Sequence, residues 1–304
     1  MPTSSNIRTS AAGPVKAGPA LLRRWVSLEI LSVVPFLVIA VMFLVLPTLQ
    51  LVRIAFTGPD GNFTLDNIIG LGTDQIRAAY WISIRISFTS AALGCLIGLA
   101  IALALIRGGL PKALRSAVMT FSGVASNFAG VPLAFAFIAT LGRLGLITIL
   151  AREIFGFDIY RAGFNLLSFW GLTLTYLYFQ IPLMILIIAP AIDGLKREWK
   201  EAAETLGASR WQFWRYVGFP ILFPSLLGTL SLLFANAFGA IATAYALTGN
   251  SLNIVTVLLY AQIQGDALQN PGLGAALAIG MIVITSLANV IYLAITARAE
   301  RWLK

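Results

Sequence analysis

Six long apolar runs alternate with shorter polar segments along this chain, at about residues 30–52, 82–106, 118–141, 166–189, 221–247 and 273–297. Each exceeds twenty residues, enough for a helix to cross the ~30 Å of hydrocarbon in a bilayer. None alternates apolar and polar positions with period two, so membrane-spanning strands are excluded. A backbone in lipid must satisfy its own hydrogen bonds, and a helix does so within one segment. The pattern predicts an all-α integral membrane protein with six transmembrane helices. The first run is too long for the core of a signal peptide. Before it, residues 1–29 are polar and rich in small residues, with Arg8, Lys16, Arg23 and Arg24. They predict a flexible tail that ends in a basic membrane anchor.

Composition agrees with the pattern. The 304 residues are 59% hydrophobic and 11% charged, whereas a soluble domain carries roughly 25% charged residues. A soluble enzyme and a disordered chain are both excluded. Histidine is absent, which removes the commonest general base and metal ligand. The lone cysteine, Cys95, lies in an apolar run; no internal disulfide or Cys-based metal site is possible, and a packed, inert thiol is expected.

The formal net charge of +9 raises nucleic acid as a partner, but the basic residues flank the apolar runs, as topology signals do. With the N-terminus inside, the inner segments hold fifteen Lys and Arg residues, among them Arg107, Lys112, Arg115, Arg197 and Arg210. The outer loops hold five: Arg53, Arg77, Arg143, Arg152 and Arg161. Both termini are therefore expected in the cytoplasm. The remaining basic residue, Arg85, lies inside the second run near its outer end, as a snorkelling side chain or a substrate or gating contact. No acidic residue lies deep in a span, which argues against a proton-relay carrier and leaves no intramembrane charge for a cationic solute. Gly94 with Gly98, and the small residues from Gly274 to Gly280, suit close helix packing.

Residues 190–220, PAIDGLKREWKEAAETLGASRWQFWRYVGFP, form a connector of about thirty residues. That length needs structure or a function of its own. It reads as two short helices. Asp193 can cap the first, and Leu195, Trp199, Ala202, Ala203 and Leu206 form one apolar stripe along it. Gly207 suits a left-handed position that ends that helix. Ser209 followed by Gln212 makes a capping box for the second helix, which carries Trp211, Phe213, Trp214 and Val217. This second arm is expected to stop before Pro220. Composition by itself also permits an interfacial amphipathic hairpin lying on lipid headgroups.

The spacing of Glu201-Ala202-Ala203, Gly207, Val217 and Phe219-Pro220 resembles the EAA motif of permease subunits of binding-protein-dependent ABC importers. The motif's consensus ends Ile-x-Leu-Pro; here Val217 and Phe219 replace the aliphatic pair, and both sites stay apolar. The first helix with its tail, and the stretch 244–280 with Tyr245, Asn250, Gln262 and Asp266, are similar in character to the spermidine/putrescine-type permeases. The resemblance implies the type I ABC importer permease fold. It divides the chain into a tail (1–29), a first helix with its outer loop (30–79), a permease core (80–297) including the 190–220 loop, and a C-terminal end (298–304).

By the same resemblance, the elbow is a coupling helix seated in a groove of a separate ATPase subunit. Glu201, Ala202, Ala203, Gly207, Ser209, Val217 and Pro220 are its residues. The two alanines permit close approach, and Glu201 is free to pair with a basic residue of the partner. The sequence has no G-x-x-x-x-G-K-[ST] phosphate loop, so ATP is expected to be used by the partner subunit and no cofactor on this chain. Further implied partners are a second permease chain, a related chain rather than a second copy, and a periplasmic or extracellular solute-binding protein. Membrane lipid surrounds the chain in a bacterial inner membrane, and no nucleic acid is expected.

The pathway candidates are polar and aromatic residues within spans: Asn127, Tyr176, Gln180, Asn236 and Tyr245. Each is alternatively a helix–helix hydrogen bond. Asp60, Asp66, Asp74, Asp158 and Asp266 in the outer loops suit contact with a binding protein or plain solvation. The solute expected from the resemblance is a polyamine, with phosphonates, iron complexes and other small solutes as alternatives. A secondary carrier or channel remains as the competing class. A membrane enzyme would lack His, H-E-x-x-H and any buried carboxylate pair.

Overall fold

The computed structural model describes residues 33–264 and 270–300. The expected N-terminal tail, Asp266, Arg301 and Lys304 lie outside them. The chain separates into two units, 1–50 and 51–304. Twelve helices are formed among the described residues: α1 Val33–Ala55, α2 Asp66–Gly70, α3 Asp74–Arg107, α4 Lys112–Ala125, α5 Val131–Leu141, α6 Leu146–Phe155, α7 Phe169–Asp193, α8 Arg197–Thr205, α9 Arg210–Phe238, α10 Ile241–Thr248, α11 Val255–Gln264 and α12 Pro271–Glu300. One isolated bridge, Thr57 with Phe63, is the only extended pairing among these residues. Six helical stretches are long and apolar enough to cross a membrane: α1, α3, α5 with α6 over Val131–Phe155, α7, α9, and α12 over Pro271–Arg298.

In the first unit, the described part is the apolar helix from Val33, with one π turn at Val41–Val45. In the second unit, α3 and α7 form the most extensive contact, and α9 packs on both. Their core holds Met184, Ile188, Ile192, Leu222, Leu233 and Phe238. The expected small-residue pair sets the α3–α7 distance. A Cβ at Gly98 would stand 2.6 Å from the Met184 Cβ, and one at Gly94 would stand 3.0 Å from the Gln180 Cβ. Without side chains there, the two backbones approach closely enough for dense packing in a medium that offers helices no hydrophobic drive to associate. On the far side, α12 packs on α9, and Tyr80 of α3 donates to the Leu277 carbonyl at 2.6 Å.

Two expected spans are not single helices. The run at 118–141 is α4 and α5, with a break at 126–130 that ends at Gly130. The run at 221–247 is the end of α9, a break at Gly239 and Ala240, and then α10. Both breaks are short, Ser126-Asn127-Phe128-Ala129-Gly130 and Gly239-Ala240, and apolar residues flank them, so hydropathy averaged over a whole span does not register them. The second span also starts earlier than 82, at Asp74.

Candidate functional site

The 190–220 segment folds as an elbow. Helix α8 ends in a full Schellman motif: Gly207 N–H donates to the Glu204 carbonyl at 2.9 Å, and Ala208 N–H to the Ala203 carbonyl at 2.9 Å. Gly207 takes φ +79°, which glycine reaches without a Cβ penalty. The chain then turns into α9, whose first turn carries the complete capping box. Gln212 N–H donates to the Ser209 Oγ at 3.3 Å, and Ser209 N–H to the Gln212 Oε1 at 2.7 Å.

Two local expectations are corrected. Asp193 does not cap α8; it ends α7, and Lys196 stands at the N-cap without a side-chain bond. Asp193 instead pairs with Arg115 of α4 at 2.6 Å. Nor does the second arm stop before Pro220. It continues into the fifth span as one helix through a π turn at Trp214–Gly218, where Phe219 N–H donates to the Trp214 carbonyl five residues back. A π turn shifts the carbonyls just ahead of the proline, so the missing N–H and the ring are accommodated without a break.

The elbow is held at its root and uncovered at its tip. Arg107, at the end of α3, donates to the Ile192 carbonyl at 3.0 Å and to the Leu195 carbonyl at 2.6 Å. It thereby adds a charged donor to two carbonyls where α7 leads into the elbow; the Ile192 carbonyl also accepts from the Leu195 N–H at 3.3 Å. Leu195 and Phe213 are buried, and Trp214 packs on the core. The rest of the apolar stripe and aromatic arm is not covered by this chain: Leu206 is 88% exposed and Trp211 72%. Ala202 is exposed and Ala203 half-buried. Val217 and Pro220 are half-buried within the arm. Glu201 accepts from Arg197 Nε at 2.8 Å, one helical turn away. Between the elbow and the end of α3 lies a cleft of about 480 Å³, lined by Arg107, Lys200, Glu201, Glu204, Arg210 and Trp214.

The five pathway candidates separate into two groups. Tyr176 and Gln180 are buried. Tyr176 OH donates to the Ala240 carbonyl at 3.3 Å, which also accepts from the Ala244 N–H at 3.2 Å at the start of α10. Gln180 Nε2 donates to Ser90 Oγ on α3 at 2.9 Å, while its Oε1 has no partner among the described residues. Asn127, Asn236 and Tyr245 are exposed. The first break meets the start of α10: Gly130 N–H donates to Thr243 Oγ1 at 2.7 Å. Irregular backbone within apolar segments is tolerated where it is buried in protein or lines a water-filled cavity. Arg85 stacks over Phe169 at the start of α7, 5.4 Å from the ring centroid.

A grouping invisible in the sequence sits at the other end of α7. Arg143, Arg152 and Arg161, read above only as topology signals, line one cleft. Nothing in their local spacing signals this, because the loop between α6 and α7 folds back to make it.

The profile of the family described as "Binding-protein-dependent transport system inner membrane component" matches residues 100–301. Over 195 residues the chain is 27% identical to the sulfate transport system permease protein CysT of Escherichia coli (strain K12), covering 62% of this chain and 66% of that protein. It thus spans just under two thirds of that relative. Over 137 residues it is 28% identical to a probable starch degradation products transport system permease protein, AmyD, of Thermoanaerobacterium thermosulfurigenes, covering 44% and 46% of the two chains. The crystal structure of a bacterial ABC transporter involved in import of the acidic polysaccharide alginate superposes with TM-score 0.69 at 20% identity, over 94% of this chain and 98% of that one. That chain shares the type I importer permease fold with this one. With two thirds of its length matched, the chain belongs to the family of inner membrane components of binding-protein-dependent transport systems.

Proposed function

We propose that this chain is the permease subunit of an ABC importer, coupled through the 190–220 elbow to a separate ATPase subunit. The supporting observation is the elbow itself. It is rigidly rooted by Arg107 and Arg115, shaped by Gly207, and leaves Leu206 and Trp211 uncovered. An exposed apolar and aromatic tip on a built scaffold suits a protein partner. Glu201, Ala202 and Ala203 stand on the same arm, with the carboxylate held by Arg197 until a partner cation competes for it.

The helix geometry supports this coupling. The second arm and the fifth span are one continuous helix, Arg210–Phe238. Displacement of the elbow by ATP-driven closure of the ATPase pair is carried along α9 to the break at Gly239. The first arm pulls on α7, and through Arg107 on α3. Asn127, Asn236 and Tyr245, exposed near the two breaks, are the proposed pathway residues, completed by a second, related permease chain. Tyr176 and Gln180 hold the helices in register. Both termini lie in the cytoplasm by the charge distribution, and a solute-binding protein delivers the solute outside.

The solute is a small oxygen-rich compound, an oxoanion or a saccharide. Relatives named for sulfate and for starch degradation products support this class; none of them supports a polyamine. The lack of a carboxylate deep in any span points the same way.

Co-expression with the ATPase and binding-protein partners, followed by affinity purification and uptake of labelled sulfate, maltooligosaccharide and putrescine, tests the reading. Co-purification of the ATPase and ATP-dependent uptake of one of the first two are expected. A chain that purifies alone and supports ATP-independent uptake is a carrier, contrary to the proposal.

A further inference from the structure

We infer that the cleft between α6 and the loop before α7 is an oxoanion-binding site. It has a volume of about 500 Å³ and lies at the end of α7 opposite the elbow. That volume is within the range of small-molecule sites. Its charge is unbalanced: Arg143, Arg152 and Arg161 face it together with a single carboxylate, Asp158.

Asp158 is already committed. Its Oδ1 accepts from the N–H groups of Tyr160 at 3.0 Å and Arg161 at 3.1 Å, and its Oδ2 lies 3.5 Å from Arg161 Nε. It shapes the loop and neutralises one arginine. Among the described residues, Arg143 and Arg152 have no carboxylate within ion-pair distance. Arg143 is held in place: its guanidinium lies 5.6 Å from the centre of the Tyr160 ring. That ring is fixed by its hydroxyl, which donates to the Leu141 carbonyl at 2.9 Å, and by an edge contact with Phe164. Ordering a cation this way lowers the entropy a ligand must remove.

An independent feature lies in the same wall. Thr148, one helical turn before Arg152, is only 6% exposed, and its hydroxyl has no hydrogen-bond partner among the described residues. A buried hydroxyl without a partner carries a desolvation penalty that a ligand can remove. Two unpaired guanidinium forks and one free hydroxyl are donors suited to sulfate, phosphate or carboxylate oxygens. A cationic solute is repelled from the same cleft. The site does not depend on which solute the pathway carries.

The oxygens can come from a free oxoanion or from a lipid headgroup, and the test separates the two. The purified full-length chain in neutral detergent is titrated with sodium sulfate against sodium chloride of equal ionic strength, with binding read by calorimetry. The same protein in nanodiscs of phosphatidylcholine, with and without phosphatidylglycerol, is assayed for retained anionic lipid by native mass spectrometry. Arg143→Gln, Arg152→Gln and Thr148→Val are compared with the parent. Arg152→Lys serves as the folding control.

Either sulfate affinity or retention of anionic lipid is expected to fall by ~tenfold in each Arg→Gln variant. Whichever of the two falls identifies the source. Thr148→Val is expected to weaken binding without lowering the melting temperature, because its hydroxyl has no hydrogen-bond partner among the described residues. Parent and variants that bind sulfate and anionic lipid equally, or a parent that binds neither, would overturn the assignment.

Discussion

Arg107 donates to the carbonyl of Leu195 at 2.6 Å, tying the last turn of α3 to the residue that leads into the elbow. The same guanidinium serves Ile192. Arg107→Ala removes the donor to the Leu195 carbonyl, a loss of about 1–3 kcal/mol, while the Ile192 carbonyl keeps the Leu195 N–H. The expected result is a lower melting temperature in detergent and faster tryptic cleavage within 194–210. Arg107→Lys restores only part of this, since one ammonium replaces a planar fork. An Ala variant with the parent's proteolytic pattern would show that the root is held elsewhere.

Gly207 has open space around it, with no atom within 4 Å of an added Cβ. Substitution there is a backbone effect alone. Gly207→Val is expected to cost about 1–2 kcal/mol locally and to redirect the second arm, leaving the protein in the membrane without uptake. Gly207→Asn is milder, because asparagine visits this region. Glu201→Lys breaks the pair with Arg197 and abolishes co-purification with the ATPase. A hairpin resting on anionic lipid predicts the reverse for that variant, since an added lysine strengthens the attraction.

Gly98→Val drives a side chain into Met184, whose Cβ lies 2.6 Å from the added position. Overpacking of this kind costs about 1–3 kcal/mol. The melting temperature falls, and Gly98→Ala, which adds only the Cβ, lowers it less. A Gly98→Val variant that melts with the parent would show that the two helices do not approach this closely at Met184.

The six apolar runs were readable because lipid demands a length and a composition that local sequence displays. The Gly207 turn and the Ser209–Gln212 box were readable for a similar reason: each depends on residues within one turn. The breaks at 126–130 and 239–240 were not, since each is a few residues long between apolar stretches and, even with Ser126 and Asn127 in the first, the hydropathy averaged over the span stays high while the backbone leaves the helix. Pro220 misled because a proline stops an α-helix, and the rule does not foresee the π turn before it. The Arg115–Asp193 pair, 78 positions apart, and the convergence of Arg143, Arg152 and Arg161 are products of tertiary folding. Charge counting put those arginines in loops and left their partners undetermined.

The proposed topology rests on the distribution of basic residues. In a Cys95→Ala background, Ser5→Cys, Lys112→Cys and Arg210→Cys are expected to react with an impermeant maleimide only after the membrane is opened. Asp60→Cys reacts in intact cells. Labelling of Arg210→Cys from outside would place the elbow on the wrong face for an ATPase.

Leu206, 88% exposed at the elbow tip, gives the most direct test of the coupling assignment. A photo-crosslinking amino acid there is compared with one at Leu144, which is 85% exposed at the other end of the bundle. The coupling assignment predicts an adduct with the ATPase subunit from position 206 and none from position 144. Adducts with lipid alone from position 206, in cells that contain the ATPase, would contradict it.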